Sequence, residues 1–145
     1  MCAGKCLRLK EETGDKPKCM VEINNKPVLE HIADHMNKHG IRRIVVNLHS
    51  FPEVVMKHFG QRFLYLYEPV PMGEFATTAI IKSWFPNEPI IVMNGDTITD
   101  LDIIKTIRIT TGGIHMGTTL EMPSYFQDMG TPDGLSKARE HYAKR

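Results

Sequence analysis

The stretch Arg43-Ile44-Val45-Val46-Asn47-Leu48, with Pro52 close behind it, decides how this chain folds. Its β-branched run reads as a strand closed by a turn signal, and Pro52 then opens a helix that carries Val54, Val55 and Phe59 inward as far as Gly60. Strand followed directly by helix is the first half of a βαβ unit. Working outward, Phe63 to Tyr67 alternates aromatic and aliphatic residues as a strand does. Glu68-Pro69-Val70-Pro71-Met72-Gly73 must be a loop, because two prolines and a glycine do not continue a ladder. A helix is expected from about Phe75 to Trp84. Ile90-Ile91-Val92-Met93, bounded by Pro89 and Asn94-Gly95, is short and continuously apolar, the pattern of a strand covered on both faces. On the N-terminal side, Pro27 to His39 reads as an amphipathic helix in which Val28, Leu29, Ile32, Ala33 and Met36 form one apolar stripe and Gly40 supplies the stop. Helices alternating with such strands imply an α/β protein with a mostly parallel sheet.

Beyond Asp102 the pattern weakens: Thr110-Thr111-Gly112-Gly113 is a loop, and Ile114 to Met122 is a faint strand candidate. The end is clearer. Thr131 as a cap, Pro132 at the first helical position and Asp133 in the first turn start a helix through His141. With 145 residues, 41% of them hydrophobic and 24% charged, the chain is sized for one domain with one substantial core. Residues 1–102 read as its principal part, 103–124 as a connection and 125–145 as a C-terminal segment. A formal charge of +1 creates no field that would draw the chain to nucleic acid or to an acidic membrane, so any anion site is local. No apolar run approaches the roughly 20 residues that span a bilayer, and no signal peptide is visible. Cys2, Cys6 and Cys19 form an odd set without a CxxC pair, which argues against a disulfide framework and a structural zinc and fits a reducing cytoplasm.

Chemistry concentrates at three places. Near the start, Ala3-Gly4-Lys5-Cys6-Leu7-Arg8-Leu9 and Lys16-Pro17-Lys18 combine a small-residue loop with cations, as a triphosphate cradle needs, although on these residues alone an exposed basic N-terminus is the favoured reading. Asp96 follows Ile90–Met93 at what would be the carboxyl edge of the sheet, where ligands of open α/β sheets collect, and its hard oxygens suit Mg²⁺. The alternative is a solvated acid in an Asn94-Gly95-Asp96 turn. Asp128 reads by itself as a loop carboxylate ahead of the last helix. His35 and His39, spaced i, i+4 without a third ligand, read as a solvated helix face, and the methionines as core filler.

Taken in order, several short motifs make the chain resemble the sugar-phosphate nucleotidyltransferases. They are Gly4-Lys5-Cys6-Leu7-Arg8-Leu9, Pro17-Lys18-Cys19-Met20, Lys26-Pro27-Val28-Leu29-Glu30-His31, His39-Gly40-Ile41, Glu68 to Gly73, Asn94-Gly95-Asp96 and Asp128-Met129-Gly130-Thr131-Pro132. The resemblance implies a Rossmann-like three-layer nucleotidyltransferase fold that joins a nucleoside triphosphate to a sugar 1-phosphate with release of pyrophosphate and with Mg²⁺ as cofactor. By the same resemblance Arg8 and Lys18 are the catalytic cations on the triphosphate and the transferred phosphoryl group. Ala3, Gly4 and Gly73 line the nucleotide, and Asp96 and Asp128 hold the metal. Carboxylates sharing one ion would approach within ~6 to 7 Å of each other even without it.

The chain departs from the family pattern in ways that carry expectations of their own. The strand that leads into the glycine loop, central in the family's sheet, is missing, and Cys6 and Leu7 crowd a place the family leaves bare. Only Thr97 to Gln127 separates the two aspartates, so most of the sugar-binding region is expected to be absent. A fragment, or a homo-oligomer that completes the sheet, follows from this reading. A non-catalytic nucleotide-binding or assembly module is the alternative to an enzyme.

Overall fold

A computed structural model describes residues 2–3, 13–14, 16–104 and 124–144. After a 3₁₀ turn at Lys18–Met20, a short hairpin pairs β1 (Glu22–Ile23) antiparallel with β2 (Lys26–Pro27). Asn24 and Asn25 turn it, both at positive φ, the backbone that a two-residue hairpin loop requires and that asparagine tolerates. Helix α1 (Val28–Lys38) follows at once. β3 (Val45–Leu48), α2 (Pro52–Phe59) and β4 (Leu64–Tyr67) form a βαβ unit in which Val45 to Leu48 align parallel with Leu64 to Tyr67. α3 (Glu74–Trp84) comes next, then β5 (Thr97–Thr99), β6 (Phe126–Asp128) and α4 (Pro132–Ala143). β5 and β6 pair antiparallel, with Thr97 opposite Asp128.

The α/β class and the helix positions expected from periodicity agree with the structure to within about two residues. All five stripe residues of α1 are buried, and they divide between two cores. Val28, Ile32 and Met36 pack with Ile98, Met129, Leu135 and Ala138. Leu29 and Ala33, one position round the helix, pack with Val46, Leu48, Val55, Phe59 and Phe63. Rows at i, i+4 that lie side by side give α1 an apolar arc wide enough to serve both.

Two expectations are corrected. Among the described residues the pairing is parallel only between β3 and β4; the other two pairs are antiparallel. Ile90 to Met93 joins no ladder, and Ile91 is exposed, so the run is not a strand covered on both faces. A continuous apolar run becomes a strand only when a neighbouring strand lies beside it, and among the described residues no strand pairs with Ile90, Ile91 or Val92. The faint strand candidate at Ile114 to Met122 lies outside the described residues.

α4 begins as its sequence dictates. The Thr131 hydroxyl accepts the Gly134 N–H at 3.2 Å, and Pro132 occupies the first turn. Gly134 is there for closeness: a Cβ on it would stand 2.1 Å from the Asp128 carbonyl oxygen, a backbone atom that cannot rotate away. Gly134→Ala is therefore expected to destabilise the protein by about 2–3 kcal/mol, read as a lower urea midpoint with an unchanged slope, because the end of β6 must move to admit the methyl.

Candidate active site

Three of the residues singled out from sequence converge on one glycine. Lys18 sits in the 3₁₀ turn that follows Pro17, Asp96 in the turn that leads into β5, and Asp128 at the end of β6. The β5–β6 pairing continues one step past its last strand pair, where the Met129 N–H donates to the Asp96 carbonyl at 2.8 Å, and this brings the two aspartates side by side. Gly130 lies between them. A Cβ built on it would be 3.0 Å from Asp128 Oδ1, 3.4 Å from Asp96 Oδ2 and 3.5 Å from Lys18 Nζ. The two carboxylate oxygens are therefore separated by no more than the sum of the first two distances. Lys18 Nζ stands 3.7 Å from Asp96 Oδ2, both side chains partly exposed, and the Gly130 N–H donates to Asp128 Oδ1 at 2.7 Å.

This donor set fits a magnesium ion. Mg²⁺ takes one or two carboxylates and fills its remaining octahedral positions with water and substrate phosphate oxygens. No third His, Cys, Asp or Glu joins the pair among the described residues, so phosphate and water would complete the shell.

A second, buried network links the start of the chain to the loop that carries Gly73. Asn47, in β3, accepts the Cys2 N–H on Oδ1 at 2.7 Å and donates its Nδ2–H to Glu68 Oε1 at 2.9 Å. The Thr77 hydroxyl donates to the same oxygen at 2.7 Å, and the Met72 N–H donates to Glu68 Oε2 at 3.0 Å. Glu68 is 1% exposed. Burial alone would push its carboxyl pKa up, but the hydrogen bonds from Thr77, Met72 and Asn47, with His49 nearby, outweigh it and hold the group below its ordinary value. The charged form thus fixes the loop Glu68–Gly73 against β3 and α3. Gly73 ends this loop at φ 81°, a left-handed backbone that glycine accepts, and caps α3 by accepting the Thr77 N–H on its carbonyl. Ala3 is buried next to Cys2.

Gly4 and Arg8 lie outside the described residues. The histidine pair is not a solvated face: His35 and His39 are half-buried, edge to face at 4.6 Å, and His35 Nε2 bonds the Leu101 carbonyl at 2.9 Å. Burial, with His39 and Lys38 close by, holds the His35 pKa below its ordinary value, so the neutral ring donates that bond. Sequence reasoning missed Asn47, Glu68, Thr77 and Gly130 as members of the site. Glu68 and Gly130 were quoted there inside motifs, Glu68 at the head of a loop and Gly130 as the small residue two places after Asp128, without a role of their own.

A family model for the MobA-like NTP transferase domain matches residues 1–108. The D-glycero-α-D-manno-heptose 1-phosphate guanylyltransferase of Campylobacter jejuni is 34% identical over 110 residues, 72% of this chain and 49% of that enzyme. The UTP–glucose-1-phosphate uridylyltransferase AglF of Haloferax volcanii is 36% identical over 116 residues, 74% of this chain and 47% of that one. The chain spans about half the length of these curated relatives. Among solved structures, HddC from Yersinia pseudotuberculosis superposes with a TM-score of 0.79 at 19% identity, over 97% of this chain and 96% of that chain. Its complex with GMP-PN gives 0.80 at 18%. Identities this low show a shared fold.

The Glu68 network carries a pH signature. A carboxyl whose folded pKa lies below its unfolded one contributes its full stability above the unfolded value and loses it as pH falls through the folded one. Glu68→Gln is expected to cost about 1–3 kcal/mol at pH 7, because an amide cannot accept at both ends. The variant should lose less further stability than the parent as pH drops below about 4.5. Urea melts of both proteins from pH 7 to pH 3 measure the difference.

Proposed function

Because the chain belongs to the MobA-like NTP transferase domain family, we propose that it supplies the nucleotide- and metal-binding part of a sugar-1-phosphate nucleotidyltransferase, acting on a nucleoside triphosphate and a sugar 1-phosphate. The observation that carries this reading is the convergence of Asp96, Asp128 and Lys18 on Gly130. In the proposed reaction an oxygen of the sugar phosphate attacks the α-phosphorus, a bond forms there, and the bond to the bridging oxygen of pyrophosphate breaks. The attacking oxygen is already anionic at neutral pH, so the protein's task is positioning and charge balance.

Each residue has a part in that task. Ala3 and Gly4 present backbone amides to the phosphates, and the Arg8 guanidinium clamps the triphosphate through paired N–H donors. Lys18 sets its ammonium against the α-phosphate oxygens, close enough to Asp96 to be held in place. Gly73 lets backbone approach the base or sugar without a side chain between. Asp96 and Asp128 hold Mg²⁺, and the absence of a side chain at Gly130 leaves room beside them. When bound, the ion neutralises charge that builds as the two phosphates meet.

A second reading, a nucleotide-binding or assembly module without turnover, is favoured by the short Thr97–Gln127 interval between the two aspartates. Cys2 and Cys19 carry thiols and no disulfide among the described residues, which supports a cytoplasmic setting. Exposed Val70, Phe75 and Phe126 support a homo-oligomer. Light scattering at tens of micromolar is expected to give at least a dimer mass.

Pyrophosphate release over a panel of nucleoside triphosphates and sugar 1-phosphates, beside calorimetric nucleotide binding, separates the two main readings. Turnover is expected with Mg²⁺, and Asp96→Asn or Asp128→Asn should reduce it by roughly 100-fold or more while the melting temperature stays close to the parent's. Gly130→Ala, which places a methyl among the three charged groups, should reduce turnover by about tenfold to a hundredfold. Nucleotide binding without turnover, unchanged in the two Asn variants, would move the assignment to the second reading.

A further inference from the structure

The half-buried thiol of Cys2 and the buried thiol of Cys19 meet, and the Cys19 S–H donates to the Cys2 sulfur. Separate parts of the chain hold the two residues. Cys2 is fixed through its backbone, because its N–H donates to Asn47 Oδ1 of β3 at 2.7 Å. Cys19 is the middle residue of the 3₁₀ turn Lys18–Met20. That turn is closed by the Met20 N–H on the Pro17 carbonyl at 2.9 Å and by the Val21 N–H on the Lys18 carbonyl at 3.1 Å. Cys19 belongs to the core that contains Leu29, Ala33 and Val46, and Cys2 packs on the same core. The contact between the thiols is therefore built by the fold around it.

The two sulfurs are not equivalent. Cys19 is 2% exposed, whereas Cys2 is open to small solutes. The hydrogen bond from Cys19 also outweighs burial and holds the Cys2 thiol below its ordinary pKa, which favours the thiolate that oxidants attack. Cys2 is thus placed to react first and Cys19 to resolve the product. Sulfurs already in contact need only a short approach to reach the S–S length of about 2 Å.

We propose that Cys2 and Cys19 form a peroxide-sensitive dithiol, which closes to a disulfide and thereby weakens nucleotide binding at the adjoining site. The Cys2 thiolate attacks one oxygen of a hydroperoxide, the O–O bond breaks, and the hydroxide that leaves takes up a proton as water. The Cys19 sulfur then attacks the sulfenic acid on Cys2. An S–S bond forms as the S–O bond breaks, and a second water carries away the oxygen and the Cys19 proton. Two electrons pass from the thiols to the peroxide, and a small thiol reverses the step by exchange. Closure draws the turn and the Cys2 segment together. Lys18, next to Cys19, holds its ammonium 3.7 Å from Asp96 Oδ2, and Ala3 follows Cys2. The effect on binding rests on the roles proposed above for Ala3 and Lys18; the disulfide itself does not.

The test uses a Cys6→Ser background, in which Cys2 and Cys19 are the remaining cysteines, and treats it with hydrogen peroxide. Non-reducing peptide mapping by mass spectrometry is expected to find Cys2 joined to Cys19, and dithiothreitol to restore both thiols. In that background Cys19→Ser should leave a sulfenic acid on Cys2 that dimedone traps, while Cys2→Ser should leave Cys19 unlabelled. Calorimetry with Mg²⁺-GTP and Mg²⁺-UTP should find binding at least about tenfold weaker in the oxidised form than in the reduced one. Cys2 and Cys19 that stay reduced, or Cys2 carried to sulfinic acid beside an intact Cys19 thiol, would overturn the dithiol. A mapped disulfide with equal nucleotide affinity in both forms would overturn its control of the site. Reduced protein that binds neither nucleotide would overturn the function proposed above and that control with it, while the peptide map would still decide the disulfide.

Discussion

Two adjacent rows of apolar side chains on α1 hold the structure together. Val28, Ile32 and Met36 face the core that includes β5 and α4, while Leu29 and Ala33 face the core under β3 and α2. Truncating a large residue in either row would leave a cavity costing about 2–5 kcal/mol. The consequence reaches beyond stability, because the elements on the two sides carry different parts of the site. β5 and β6 deliver the aspartates, whereas β3 delivers Asn47 and, through it, the buried Glu68. One helix therefore sets the position of the paired carboxylates relative to the loop that ends at Gly73.

Within that frame the two halves are fixed by different physics. The aspartates are brought together by backbone: strand register places Thr97 opposite Asp128, and the Met129-to-Asp96 hydrogen bond extends the ladder by one step. Neither carboxylate has to be attracted to the other, and as like charges they would not be. The Glu68 half is fixed by a buried charge. An ion removed from water persists only if its lone pairs are satisfied, and three donors from three separate stretches of chain do so here. Losing any one of them leaves the others holding a less compensated charge, which makes this network brittle in a way that the strand pair is not.

What was legible in the sequence follows the same division. The stripe of α1 could be read because helical periodicity is a local property, and its five residues are all buried. The β3–α2–β4 unit was legible for the same reason. Ile90–Met93 was misread because pairing depends on what lies beside a run, which its own residues do not encode. The hairpin at Asn24-Asn25 went unread beside the stronger helical signal that starts two residues later. Glu68 looked like the first residue of a proline-rich loop, since nothing in Glu-Pro announces that the acid turns inward. Gly130 was quoted as part of a motif, yet its contribution is the room left by a missing side chain, and an absence of atoms has meaning only once the neighbours are placed.

The charges around Gly130 impose a condition on whatever binds there. Two carboxylates and one ammonium leave a local excess of one negative charge, and Lys18 already stands within 3.7 Å of Asp96. A bare triphosphate approaching that point would meet repulsion at least as strong as the attraction to Lys18, in a setting only partly screened by solvent. A divalent cation reverses the balance: with it the cluster carries one net positive charge, and the same carboxylates change from a barrier into the anchor of the ion. On the proposed reading, nucleotide and metal therefore bind together or not at all at this point. That coupling follows from the spacing of Asp96, Asp128 and Lys18 about a glycine, whatever base or sugar the rest of the protein selects.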